Sequence, residues 1–370
     1  MLFRFRKQLS RNDVHLNGRK TEGVHSAKLI EHLSNPSPSH SNFYLSNMSI
    51  TSQIAEFNRG ERISVAAAVL IYFVMAAIWT INGDYTWDDD APTRIYNTLN
   101  AFSDPIHFVS LWNRPLFVAL FAIPLQISMH MVHVLMPFLM AMSSVMAVLG
   151  LRKLKIPGAV YTLPFILFQP YLFLLSYQAY TEPLAVVMIN LSIYFFARKK
   201  WLALAIAGGL IPLARLELAP LLIFWAIPLL KNKQWKGIIT MAIPILIWNI
   251  GGWLVTDQTL YLLEQTIWKE SSGNRYGHND WDIYLGRYFL VLGPIIFIPF
   301  LSGLIFSLVK KKLLPIAVIF GTGFFIYTLF SWKLDLGNAA GFLRNITTLS
   351  PFSGILAGIG LHQMILFLNP

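Results

Sequence analysis

"TEPLAVVMINLSIYFFARKKWLALAIAGGLIPLARLELAP", residues 181–220, decides the fold. An apolar run over about 183–198 meets the basic turn Arg198-Lys199-Lys200, and a second over about 201–213 leads to Arg215 and Glu217. Two apolar segments joined by adjacent cations read as a membrane hairpin. The apolar residues satisfy the hydrocarbon, and the cations stay in the cytoplasm under the positive-inside rule. Glu182, Arg215 and Glu217 then fall at the outer ends of the two spans.

The pattern repeats outward. Of 370 residues, 55% are hydrophobic and only 13% charged, with a mean hydropathy of +0.54. A soluble domain would carry about 25% charged residues. Three further basic clusters separate apolar runs: Arg152/Lys153/Lys155, Lys231/Lys233/Lys236 and Lys310/Lys311/Lys312. With every cluster cytoplasmic, each consecutive pair is joined by an even number of crossings. Spans follow at about 63–82, 158–176, 183–198, 201–213, 217–230, 237–256, 288–307, 313–331 and 350–368. Residues 114–150 must cross an odd number of times, as one span plus a re-entrant piece or as three short spans. The expected fold is an all-α polytopic membrane bundle of about 10–12 spans with both ends cytoplasmic. The net charge of +11 does not point to nucleic acid, because twelve of the 29 Lys and Arg residues sit in these four clusters between apolar runs, as cytoplasmic loops do. The absence of cysteine excludes a disulfide framework and thiolate metal sites.

Residues 1–62 differ from 63–370, the expected transmembrane domain. Their basic start and the tract "SNPSPSHSNFYLSN" cannot build a core and read as a disordered cytoplasmic tail. Met48 is an alternative start.

Polar residues sort to the outer face: five carboxylates between Asp84 and Asp104, then Glu182, Arg215, Glu217, the loop "SSGNRYGHNDWDIYLGRY" and Arg344. Charge near membrane depth is costly unless it faces a cavity, so a wet outer cleft is expected. In "WDDDAPTRIYNTLNAF", acids followed by Pro92 signal a helix start, with a short surface helix over 92–102. A helix needs one cap, and Asp88, Asp89 and Asp90 supply three. Like charges so close raise a carboxyl pKa, which suits a general base or an ion site. His130 and His133 in "MHMVHVLM" read as packing residues, because further ligands are missing nearby. Gly208-Gly209 reads as close helix packing.

"DDAPTRIYNTL" resembles the acidic loop after the first span in the GT-C superfamily of membrane glycosyltransferases, in its mannosyltransferase- and arabinosyltransferase-like members. Asp89, Asp90, Ala91, Arg94, Tyr96, Asn97 and Leu99 carry the likeness. "SLWNRPLF" is similar to the step opening the next span, and residues 181–220 resemble a second signature through Glu182, Arg215 and Glu217, with Leu216 where proline is usual. "GFLRNITTLSPFSGILAGIGL" resembles a late element through Arg344, with Asn345 departing. The resemblance implies sugar transfer from a polyprenyl-phosphate donor to a glycan, lipid or protein hydroxyl, at the extracytoplasmic face of a bacterial inner or plasma membrane. Asp89 is the implied base and Asp90 the close second. Arg344 leads for the phosphate, with Arg94, Arg114 and Arg215 behind it, and Asp88 is a further substrate contact. Glu182 reads as a substrate contact or a helix-start acid, and Arg215 with Glu217 as substrate contacts or an architectural ion pair. His278 and Asp280, beside Trp281 and Tyr284, suit sugar contact or interface anchoring. Arginine can neutralise a monophosphate leaving group, so no cofactor is required, while the Asp triplet leaves Mg or Mn open. The rival readings are a transporter or flippase of a lipid-linked or anionic solute, and an inactive relative within a glycosylation complex.

Overall fold

The computed structural model describes residues 57–82, 90–267, 280–334 and 342–369, all within one of the chain's two units, Ser49–Pro370. Among the described residues there is no strand; the chain is an all-α, multi-spanning membrane bundle. The helices that organise it are α1 (Arg59–Asn82), α2 (Asp90–Leu99), α3 (Pro115–Ile127), α4 (Met131–Lys153), α5 (Thr162–Leu167), α6 (Pro170–Ser176), α7 (Glu182–Ala197) and α8 (Trp201–Ala214). They continue as α9 (Ile223–Lys231), α10 (Trp235–Thr256), α11 (Ile283–Leu292), α12 (Pro294–Val309), α13 (Leu314–Leu329), α14 (Leu343–Ile346) and α15 (Ser350–Leu368).

Five helices are long and apolar enough to cross a membrane, and seven if each of two bent pairs counts as one span. Helices of spanning length alone therefore fall short of the expected ten to twelve. The reason is local. The run at 158–176 breaks by 64° between α5 and α6, at Gln169-Pro170. The run at 288–307 breaks by 118° between α11 and α12, where Gly293 adopts φ 73° before Pro294. Three other apolar runs, α3, α7 and α8, are 13, 16 and 14 residues long. Residues 114–150 hold the short α3 and the long α4. α1 starts at Arg59, earlier than its apolar run, because a capping box sets its end. The Asn58 side-chain oxygen accepts the Glu61 N–H at 2.8 Å, and Glu61 accepts the Asn58 N–H at 2.9 Å.

Three of the basic clusters are built as the same helix-ending turn. Lys155, Lys199 and Lys233 each adopt φ 55°. Each N–H reaches back three residues, to Arg152, Phe196 and Leu230 at 2.8, 3.0 and 2.9 Å. The next N–H reaches back five, from Ile156, Lys200 and Gln234 to Leu151, Phe195 and Leu229. This is the Schellman arrangement with lysine where glycine is usual. The left-handed conformation costs an L-residue roughly 1–2 kcal/mol. A cation at the negative end of a helix dipole returns about 0.3–1 kcal/mol of that.

Helices approach closely where side chains are missing. A Cβ on Gly303 of α12 or on Gly360 of α15 would strike the facing backbone, at Leu356 and Pro299 respectively. Gly209 of α8 meets the Met241 backbone of α10, the close packing expected from its sequence. His133 is buried with Nδ1 2.5 Å from the Tyr177 carbonyl, a packing role. No group of three or more metal-ligating side chains occurs among the described residues.

Candidate functional site

α2 begins with Asp90 in its first turn, two residues before the expected start, and buries Ala91, Arg94 and Thr98 along one face. Ile95 and Leu99 pack beside them against the core. That face carries a cation inward. Arg94 donates through Nη1 to the Ala179 carbonyl at 2.6 Å, and its guanidinium lies 4.7 Å from the Trp112 ring and 5.9 Å from those of Phe117 and Tyr180. Burial pulls the Arg94 pKa down to about 10, against the attraction of Glu182 and Asp90.

The loop before α3 is pinned from below. Asn113 is fully buried, donating to His107 Nδ1 at 3.3 Å and accepting from Asn97 at 3.2 Å. Arg114 follows with φ 64° and ψ 117°, a conformation L-residues rarely hold. Its guanidinium lies on Glu217 Oε1 at 2.8 Å.

From Glu217 the charges continue in an unbroken chain. Glu217 Oε2 lies 3.5 Å from Arg215 Nε, and Arg215 Nη1 donates to Glu182 Oε1 at 2.9 Å. Arg215 Nη2 donates to Asn345 at 2.6 Å. Glu182 Oε1 also lies 3.8 Å from Arg344 Nε, and Arg344 Nη2 closes on Asp90 Oδ2 at 2.5 Å. Tyr180 backs the chain, its ring 5.6 Å from the Arg344 guanidinium. Burial pushes the Glu217 carboxyl up, but Arg114 and Arg215 overcome this and hold it at about 2. Burial likewise disfavours the Arg215 charge, yet Glu217 and Glu182 raise its pKa above the ordinary arginine value.

Six elements converge here: α2, the loop before α3, the start of α7, the end of α8, the 3-10 turn Leu216–Leu222 and α14. Glu182 and Arg198 sit at opposite ends of the 16-residue α7, about 24 Å apart at 1.5 Å per residue. The network thus occupies the end of the bundle away from the basic turns.

Of the residues expected at a site, the structure brings together Asp90, Arg94, Arg114, Glu182, Arg215, Glu217 and Arg344. Asp280 is exposed in the turn before α11 and makes none of these contacts. Asp88, Asp89 and His278 lie outside the described residues. Asn345, Tyr180 and Trp112 belong to the site and were not singled out for it. Asn345, a departure from the expected pattern, is an acceptor for Arg215.

Four guanidinium groups face three carboxylates, Asp90, Glu182 and Glu217, an excess of one positive charge among the described residues when all are ionised. Such a cluster can accept an anion with several oxygens, because each guanidinium presents a planar fork of donors. No protein-family model matches the chain, and comparison with curated proteins finds no match. Among solved structures, the fold is similar to ArnT from Cupriavidus metallidurans bound to undecaprenyl phosphate, at 13% identity and a TM-score of 0.56. The match covers 79% of this chain and 60% of ArnT, so this chain spans about three-fifths of that protein's length. What the two share is the fold.

Proposed function

We propose that this membrane protein transfers a sugar from a polyprenyl-phosphate donor to an acceptor hydroxyl at the outer membrane face, inverting the anomeric carbon. The observation that carries this reading is the chain Arg114–Glu217–Arg215–Glu182–Arg344–Asp90, gathered at the end of the bundle opposite the basic turns. The fold likeness to ArnT, whose structure holds undecaprenyl phosphate, supports the class of donor.

In the proposed reaction the acceptor oxygen attacks the anomeric carbon as its proton passes to an aspartate. The bond from that carbon to the phosphate oxygen breaks, and its electron pair leaves with the lipid phosphate. Asp89 is the first assignment for the base and Asp90 the second. Asp90 is tied to Arg344 before substrate arrives. A phosphate taking Arg344 competes with that carboxylate and releases it toward the acceptor, which couples donor binding to base activation. Arg94 holds the Ala179 carbonyl and has a positioning role. Arginine suffices to neutralise the leaving phosphate, and the Asp triplet leaves room for Mg or Mn beside it.

The broken pairs α5/α6 and α11/α12 favour one other reading, transport of a lipid-linked anion, since interrupted helices line many transport paths. Asp89→Asn and Asp90→Asn, assayed for sugar transfer in membranes, separate the two. Loss of a general base lowers the rate by about 10²–10⁴-fold in at least one variant. Transfer untouched by both changes removes the assigned bases, and lipid movement without any transferred sugar establishes transport.

A further inference from the structure

At the end of the bundle that carries the basic turns, a cavity of about 590 Å³ opens between the first turns of α1, the end of α4, the turn after it, and α15. We propose that this cavity binds the phosphate headgroup of an anionic glycerophospholipid. It is distinct from the arginine network, which is built on other helices at the end of the bundle away from the basic turns.

The lining has two characters. Ser64, Tyr161, Arg152 and His362 supply polar groups, while Val65, Ile156 and Leu163 supply apolar wall. The side chains of Ser64, Tyr161 and His362 form no hydrogen bond or ion pair with the described residues. A small soluble anion would have no use for the apolar half. A lipid places its phosphate and its first acyl carbons at just such a boundary. Its depth agrees, because the cluster Arg152/Lys153/Lys155 marks the headgroup layer.

The local charge favours an anion. Arg152 pairs with Glu61 at 2.6 Å, and Glu61 is further engaged by the Asn58 N–H. Lys312 Nζ donates to the Lys155 carbonyl at 3.2 Å, which fixes a second cluster beside the turn that forms the wall. Arg152 and Glu61 balance each other in the lining, and Lys153, Lys155 and Lys312 beside the same turn leave its surroundings net positive. The wall is also preformed. Gly158, at φ 71°, presses on the Gly358 carbonyl of α15 so closely that any Cβ would collide with it. The turn cannot close over the cavity without moving α15.

The test uses the full chain in nanodiscs of phosphatidylcholine with or without about one-third phosphatidylglycerol, with lipid retention read by native mass spectrometry. Wild type should retain one phosphatidylglycerol. Ser64→Trp, which fills the cavity from an exposed position, should bind it about tenfold more weakly. Lys199→Gln with Lys233→Gln removes cations from the same face outside the cavity and should leave retention intact. Should Ser64→Trp lower the unfolding midpoint in pure phosphatidylcholine discs, Ser64→Leu replaces it as the reading. Three results would overturn the proposal: retention unaffected by filling the cavity, equal loss in the double lysine variant, or inorganic phosphate alone giving the same stabilisation as the lipid.

Discussion

The two ends of α7 carry charge in opposite ways. At its start, Glu182 is almost fully buried and shares its carboxylate between Arg215 and Arg344. At its end, Arg198-Lys199-Lys200 is a run of like charges whose two lysines are exposed. Solvated cations of one sign anchor a helix end at little cost, since water and lipid headgroups screen them. Buried pairs of opposite sign lose hydration that their attraction only partly restores. A bundle needing anchorage alone would use the first device at both ends. The second occurs where α2, α7, α8 and α14 meet, which is why the proposed function is placed there.

Cutting one member from each end sharpens the contrast most. Arg215→Met leaves Glu182 and Glu217 buried without their common partner, an expected loss of about 3–5 kcal/mol. Lys199→Met at the other end should stay within about 0.5 kcal/mol. Unfolding midpoints of the two variants in one detergent check this, and equal losses would erase the distinction.

Acid should separate the network from the basic turns. The Glu217 carboxyl sits at about 2 when folded, below its ordinary value of 4.5. A lowered folded pKa means a stabilisation fully present above pH 4.5 and lost as pH falls toward 2. Glu217→Gln should flatten the decline in stability across that window. The lysines of the basic turns keep their charge throughout it, so Lys233→Gln should leave the slope unchanged.

The smallest effect is the most discriminating, because both ends hold residues at positive φ. Lys155→Gly relieves the left-handed turn and should stabilise by about 0.5–1 kcal/mol after the entropy that glycine adds to the unfolded chain. Arg114→Gly relieves the same kind of strain but forfeits the Glu217 pair, and should destabilise. Opposite signs in chemical denaturation separate a strained turn from a strained residue held by a partly buried ion pair.

The sequence shows the two ends unequally. Basic turns are local, three residues long and flanked by apolar runs, so they are legible without coordinates. Partners in the network are far apart in the chain: Arg94 and Ala179 by 85 residues, Arg114 and Glu217 by 103, Arg215 and Asn345 by 130. No periodicity reports such pairings. Outer charges could be sorted by side, yet which carboxylate met which arginine depended on packing. Prolines were ambiguous for a related reason. Pro137, Pro212 and Pro244 sit inside continuous helices, whereas Pro170 and Pro294 begin new ones. Gly293 before Pro294 was the available signal, because a left-handed glycine already ends α11. Gln169 gave no comparable warning; its buried amide reaches the Ser350 carbonyl across 181 residues.

The most direct measurement is the affinity of the full chain in nanodiscs for a polyprenyl phosphate, in wild type and in Arg344→Met. Arg344 touches Asp90 and Glu182 together, so a phosphate held by the network must engage it. Loss of one charge-assisted contact is expected to weaken binding about tenfold or more. Unchanged affinity in Arg344→Met would contradict the assignment of this end of the bundle to the lipid phosphate.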